Sequence, residues 1–299
     1  MTKPDSTRAA LGAGVEMGRI NDGYISNRAY ADAFVDIGIK EIADRFGGEV
    51  RYAEFGGSEG FLPRIVADFI AATGRTVHAL VVDANDGFLA KAAALGLETL
   101  CADLEDVELA DYDLITMRSV NHYNDIEAQQ RIVDGAFDAL KAGGFLVSQN
   151  LSGPSDRYCR MTSALSKLPS LGRVDSAGDV PHMTAEPEFD ALMTRAGFSD
   201  VHVAGHAPDI QIGPEYYWAR FNAHRREAAL AAGDDIAVGE IDARHRRYLA
   251  EANAVIERFL GKAGADETSR FRHTASSCVL PLSFPIHVGH KACWGIGDA

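Results

Sequence analysis

Val50-Arg51-Tyr52-Ala53-Glu54-Phe55-Gly56-Gly57-Ser58-Glu59-Gly60-Phe61-Leu62 carries an apolar strand into an acidic residue, a small-residue turn and the start of a helix. Glycines let a backbone approach a ligand closely, and the first turn of a helix presents N–H groups with no partner in the helix itself. At the carboxyl edge of a parallel sheet, that geometry receives a small ligand. Taken alone, the same letters also describe an ordinary strand-to-helix turn.

The flanking sequence supplies the sheet. Val50–Phe55, Val77–Val82, Glu98–Ala102, Tyr112–Met117 and Phe145–Gln149 are short apolar runs and predict strands. Phe61–Ala72, Gly87–Leu95 and Ile126–Leu140 predict the helices between them. Strands alternating with helices imply right-handed crossovers and a parallel sheet covered on both faces. Leu-Lys-Ala-Gly-Gly (140–144) places a glycine stop where the next strand begins. Before the sheet, Asn27 to Phe46 predicts one helix ended by Gly47-Gly48.

After residue 150 the rhythm changes. Pro154 to Pro181 is rich in Ser, Gly and Pro, with a short helix near Arg157–Lys167. Glu186–Ala196 predicts a helix and Val201–Ala204 a strand. Glu215–Lys262 predicts two helices broken near Gly233, forming a cap on one end of the sheet. Cys278–Val288 is a last β-rich piece. The resulting division is a segment and helix over the site (1–46), an α/β core (47–208), a helical cap (209–275) and a final strand region (276–299).

Two further acids follow the first at successive strand ends. Asp83 closes the second strand, where a carboxylate can take both hydroxyls of a ribose. Asp103, in Cys101-Ala102-Asp103-Leu104, closes the third and can accept from an amino group such as an adenine N6. Each acid alone is more simply a cap for the next helix. Three in a row behind a glycine turn point to one ligand site.

These residues resemble class I S-adenosylmethionine-dependent methyltransferases over about a third of the chain, residues 50 to 150. Glu54 to Gly60 resembles their first motif, an acid followed by Gly-x-Gly-x-Gly. Asp83 matches the ribose-binding acid and Asp103-Leu104 the segment flanking the adenine. Tyr112 to Tyr123 resembles the fourth strand and the loop facing the methionine part. Leu140-Lys-Ala-Gly143-Gly144 resembles the family's lead-in to the fifth strand, and Phe284 to Lys291 fits its antiparallel seventh strand loosely. The resemblance implies a doubly wound, seven-stranded, mostly parallel α/β sheet of Rossmann-like methyltransferase type with an inserted helical cap. It implies S-adenosyl-L-methionine as cofactor, with S-adenosyl-L-homocysteine as product. The implied contacts are Glu54, Gly56, Gly57, Ser58 and Gly60 in the turn, Asp83, Ala84, Asp103 and Leu104 on the next strands, and Arg118 and Ser119 after the fourth. Ser58 replaces the middle glycine, which a serine fits with a negative φ, and Ala142 replaces the usual proline. The register from Gly56 gives Gly, Ser and Phe61 where Gly-x-Gly-x-x-Gly is required, which argues against NAD. Gly12 to Gly18 has no strand before it and one residue too many.

Methyl transfer is an in-line displacement, so the protein must bring the nucleophile close, align it and shed water. His122, at the end of the fourth strand, is the candidate base for an acceptor that carries a proton. Asn121, Tyr123, Tyr24, Tyr216, Tyr217 and Trp218 are the candidate acceptor contacts, with Arg118 and Asn121 alternatively holding the methionine carboxylate or amino group. His224-Arg225-Arg226 and Arg244-His245-Arg246-Arg247 suggest a cationic lid over an anionic acceptor. The simpler reading of the arginines is a solvated face paired to Glu227, Glu240 and Glu251. Two rival functions stand beside methyl transfer. One is a protein of this fold that binds S-adenosylmethionine without transferring methyl. The other is a serine hydrolase using Ser58 with Asp179 and His206, in which the three acids have no role.

Composition narrows the partners. The 299 residues carry 29 Lys and Arg against 43 Asp and Glu, a net charge of −14, which repels phosphate backbones and anionic membranes. The four cysteines lie far apart, as reduced thiols do in a cytosolic protein. His202/His206 and His287/His290 lack an acidic cluster with metal spacing, so no metal is expected. The start leads into no apolar run and no stretch is long enough to span a bilayer. The expectation is a soluble cytoplasmic protein acting on a small-molecule acceptor, without nucleic acid or membrane, and with a homodimer left open.

Overall fold

β1 (Glu49–Phe55), β2 (Thr76–Asp83), β3 (Glu98–Cys101), β4 (Tyr112–Arg118) and β5 (Leu140–Gln149) lie parallel in a seven-stranded sheet. The computed structural model describes residues 27–172, 182–207, 212–261, 272–273, 278–280 and 282–293. β6 (Ser199–His206) forms one edge, and β9 (Pro285–His290) is inserted antiparallel between β5 and β6. The order is β3-β2-β1-β4-β5-β9-β6. β7 (Arg272–His273) and β8 (Cys278–Val279) pair separately as a two-stranded antiparallel sheet. The sheet is thus α/β, seven-stranded and mostly parallel.

Side chains alternate across the sheet with the period of two that a strand imposes. Tyr52, Leu114 and Val147 pack on one face under α1 (Arg28–Phe34) and α2 (Phe61–Ala72). Ala53, Ile115 and Leu146 pack on the other under α4 (Ile126–Ala139) and α6 (Glu186–Ala196). α3 (Asp86–Ala94) covers the β2–β3 end through Leu89 and Ala92. Every residue of β4 is buried, as expected of a central parallel strand.

Three local expectations change. The helix expected over Asn27–Phe46 is an α-helix to Phe34, a π-helical turn over Val35–Ile39 and a 3-10 turn over Ala43–Arg45. A Cβ on Gly38 would stand 2.8 Å from both Ile286 and Val147, so the wide turn is the one that lays bare backbone on the sheet. The helix expected to reach Leu140 ends at Ala139, because Leu140 is already extended. Gly143 (φ +85°) then sits in an irregularity of β5 and its N–H donates to Lys291 O at 2.7 Å. β6 includes His206 as its last residue, where the strand was expected to stop at Ala204.

A third core belongs to the cap. α7 (Pro214–Ala232) and α8 (Asp235–Leu260) meet at Gly233, whose φ of +67° ends the first helix. They enclose Tyr217, Trp218 and Tyr248 together with Tyr158 and Leu165 of α5 (Asp156–Ser166). α5 therefore packs with the cap although it precedes α6 in the chain. Trp218 stacks on His245 (4.5 Å, 11°) and lies 5.8 Å from the Tyr248 ring. The cap arginines pair otherwise than with Glu227, Glu240 and Glu251: Arg226 binds Asp242 at 2.9 Å, Arg244 donates to Asn222 and Arg225 to the Gly172 carbonyl. Trp218→Ala is expected to cost about 3–5 kcal/mol of stability, as large aromatic truncations in a packed core do. Urea denaturation followed by circular dichroism measures it, and a loss below about 1 kcal/mol would remove Trp218 from the cap core.

Candidate functional site

The ends of β1, β2 and β4 open onto a cleft of about 210 Å³. Its floor is the turn after β1, pinned to β2 by three bonds. Gly56 N and Gly57 N donate to Val82 O at 2.7 and 3.2 Å, and Ser58 N donates to Asp83 Oδ2 at 3.0 Å. Gly56 has φ +70° and a Cβ there would meet Val120 at 2.5 Å, so glycine is required both for the turn and for contact with the loop after β4.

Ser58 departs from expectation. Its φ is +51°, the left-handed region, and not the negative value expected of a serine replacing glycine. The three bonds to β2 impose the conformation, at a strain on the order of 1 kcal/mol. Ser119, across the same cleft, also has a positive φ, +59°. Its N–H donates to Gln149 O at 2.8 Å, so β5 holds it in place. Two strained serines line one cleft.

The acids differ in what they already hold. Glu54 is buried, and its Oε2 accepts from Tyr52 OH at 2.6 Å and from the Thr116 hydroxyl. Burial pushes its carboxyl up, while those two bonds and the Arg118 charge pull it down. Asp83 accepts from Asn85 N at 2.9 Å as well as from Ser58 N; burial raises its pKa, and the backbone bonds offset only part of the rise. Asp103 accepts from Glu105 N at 3.1 Å. Each acid thus does structural work, and all three also line the cleft.

The cleft brings together Glu54, Gly56, Gly57 and Ser58 with Asp83, Ala84, Asp103 and Leu104. Arg118, Ser119 and Tyr123 complete it from the β4 side. Gly60 does not line it; it starts α2 at φ +82° and packs on Leu97 and Ala92. Sequence reasoning missed Asn85, Phe88, Asn124 and Ile132 on the walls. Asn85 could have been found: it follows Asp83 directly and caps α3, accepting from Phe88 N. Asn150 was missed too, and its Oδ1 accepts from Val120 N and Asn121 N at 3.1 Å each, which shapes the loop that carries His122.

Neither His122 nor Asn121 is on the cleft wall. The His122 ring lies 4.1 Å from the Tyr123 ring, which is. Burial, then the Arg220 charge, lowers the His122 pKa to about 3. Tyr217 and Trp218 lie in the cap core and Tyr216 packs against it; none of the three is on the cleft wall. Tyr24, Asp179 and the Gly12–Gly18 stretch fall outside the described residues.

His206 ends β6, four strands from β1, roughly 19 Å at ~4.8 Å per strand, and pairs with Glu186 at 3.3 Å. That distance removes the hydrolase arrangement on Ser58. Among the described residues no three His, Cys, Asp or Glu side chains group as a metal site, and no helix is long and apolar enough to cross a membrane.

No family model matches the chain, and no curated protein matches it in sequence. Solved structures do match. The YcgJ protein of Bacillus subtilis aligns at TM-score 0.58 and 13% identity, over 89% of this chain and 100% of its own. A Bacillus halodurans C-125 protein assigned as a methyltransferase aligns at TM-score 0.56 and 14% identity, with the same coverage. Phosphoethanolamine N-methyltransferase 2 of Haemonchus contortus, solved with phosphomonomethylethanolamine and S-adenosylhomocysteine, aligns at TM-score 0.52 and 12% identity. That match covers 97% of this chain and 62% of the nematode protein. With the strand order and the antiparallel β9, these likenesses establish the Rossmann-like fold of S-adenosylmethionine-dependent methyltransferases for this chain.

Proposed function

We propose that the chain transfers a methyl group from S-adenosylmethionine to an O, N or C nucleophile of a small molecule. The observation that carries this is the convergence of the glycine turn, Asp83 and Asp103 from three neighbouring strand ends on one cleft. The cleft also fits the cofactor in its unspent polar groups. Ser58 Oγ is buried there without a partner among the described residues. Asp83 takes backbone N–H groups from Ser58, Asn85 and Ala84 and, with about four acceptor directions, keeps capacity for a ribose hydroxyl.

Bound in the cleft, the cofactor would supply an electrophilic methyl on a sulfonium. The chain's residues do the rest. Asp83 holds the ribose, Asp103 and Leu104 flank the adenine, and Arg118 with Ser119 receives the methionine end. Gly56 and Gly57 allow close approach, and the apolar walls exclude water from the displacement. His122, behind Tyr123 and off the cleft wall, is the base assigned in this reading to an acceptor that carries a proton. A helical cap with its own core fits a small acceptor, and the charge of −14 disfavours nucleic acid. A cytoplasmic setting agrees with this reading.

Titration calorimetry with S-adenosylmethionine and S-adenosylhomocysteine tests the reading, and absence of binding to both overturns it. Asp83→Ala is expected to weaken either ligand at least tenfold, since charge-assisted hydrogen bonds are worth about 1.5–3 kcal/mol each. Unchanged affinity in a folded variant would remove Asp83 from the site. Ser58→Gly releases the left-handed strain and removes the free Oγ, so it is expected to gain about 1 kcal/mol of stability and to weaken the ligand by about the worth of one hydrogen bond. A destabilised Ser58→Gly protein would show that the serine side chain, not its backbone, holds the turn.

The His122 assignment has a pH signature. Its folded pKa of about 3 lies below its ordinary 6.5, so between those values the unfolded chain binds a proton that the folded chain does not. Its contribution is fully present above pH 6.5 and is lost as pH falls toward 3. His122→Asn should therefore flatten this part of the acid limb. Urea midpoints at about pH 4.5 and about pH 7 measure it. An unchanged difference between them would mean that His122 titrates normally.

A further inference from the structure

Ser58 is 7% exposed, its φ is +51°, and its Oγ is buried without a partner among the described residues. Both the φ and the unpartnered hydroxyl are unfavourable. A glycine adopts that φ without strain, and a hydroxyl stripped of water and given no hydrogen bond destabilises the fold that contains it. Ser58 lies on the cleft wall, as does Ser119. Of the two, Ser58 is the one whose Oγ is buried without a partner among the described residues. A polar group left unsatisfied on the wall of a cleft is one that a ligand can satisfy.

Asp83 fixes where that hydroxyl stands. Ser58 N donates to Asp83 Oδ2 at 3.0 Å, and a serine Oγ lies about 3–4 Å from its own N by covalent geometry. The hydroxyl and the carboxylate are therefore within about 7 Å of each other, and both residues line the cleft. Two adjacent sugar hydroxyls, each making a hydrogen bond of about 2.8 Å, span up to about 8 Å.

The carboxylate itself is largely taken. It accepts from the N–H groups of Ser58, Asn85 and Ala84, three of about four acceptor directions. A ribose presents two adjacent hydroxyls, and one remaining direction serves one of them. The sequence alone suggests that Asp83 takes both, whereas the folded chain leaves it capacity for one and sets an unused hydroxyl beside it.

We propose that the ribose hydroxyls of the ligand are divided between these two residues: one donates to the remaining direction of Asp83, and the other hydrogen-bonds Ser58 Oγ. A carboxylate only accepts, but a serine hydroxyl both donates and accepts, so the pair meets the sugar with two chemically different partners. Ser58 is then a specificity-determining residue that reads a ribonucleoside against its deoxy forms, which a glycine in the same turn could not do. The assignment rests on the S-adenosylmethionine reading, because it names a contact to that ligand's sugar.

The test is titration calorimetry of the full chain with S-adenosylhomocysteine and with its 2′-deoxy and 3′-deoxy ribose analogues, comparing wild type with Ser58→Ala. This substitution keeps a Cβ in the turn and removes the hydroxyl. It is expected to weaken S-adenosylhomocysteine about threefold to tenfold, as loss of one neutral hydrogen bond does. The same factor is expected with the analogue that keeps the hydroxyl held by Ser58, and no change with the analogue that lacks it. If Ser58→Ala does not fold, Ser58→Gly, which also relieves the φ, carries the same comparison. A serine with a purely structural role would weaken all three ligands alike, so an equal factor for all three overturns the proposal. Unchanged affinity for S-adenosylhomocysteine, or for both analogues, overturns it as well. Failure of S-adenosylhomocysteine to bind the wild-type chain would instead overturn the methyl-transfer reading.

Discussion

Three hydrogen bonds from the turn after β1 to the end of β2 hold the cleft in shape: two onto Val82 O and one onto the Asp83 carboxylate. Everything else at the site is referred to that turn. It forces Ser58 into the left-handed region, it brings Gly56 against Val120, and so it fixes how closely the loop after β4 can approach. Asp83 is therefore at once the ligand acid of the proposed site and the strut of its floor. A carboxylate with two oxygens and about four acceptor directions can serve both purposes.

The sheet was legible because its signals are local. Apolar runs ended by acids, glycine stops and helical spacing each lie within about a dozen residues, and the strands of β1 to β5 and the helices between them follow. What was not legible depends on residues far away in sequence. Nothing near Gly38 says that Ile286 and Val147 will pass 2.8 Å from its missing Cβ, so the π-helical turn could not be read. The sign of φ at Ser58 is set by Asp83, twenty-five residues on. The cap helices could be read from composition, but not which way Tyr217 and Trp218 point. Adjacent residues on a helix diverge by about 100°, and both are buried only because α5, α8, Leu280, Leu282 and Phe284 close around α7.

The candidate site was legible to the extent that it lies at strand ends. Glu54, Asp83, Asp103 and Arg118 each follow an apolar run, and all four line the cleft. Wall residues such as Phe88 and Ile132 sit inside helices, where an apolar residue facing a ligand looks like one facing a core. His122 was chosen for its place after β4, but its environment comes from elsewhere. Asn150 shapes its loop from the end of β5, and the charge of Arg220 acts on it from a helix nearly a hundred residues later.

That environment bears on how a proton could be removed. A ring whose pKa is about 3 is neutral at physiological pH and so free to accept a proton, yet it is a weak base for the same reason. Burial depresses it first and the Arg220 charge second, so in the proposed reaction the displacement draws on alignment and the exclusion of water more than on a strong base.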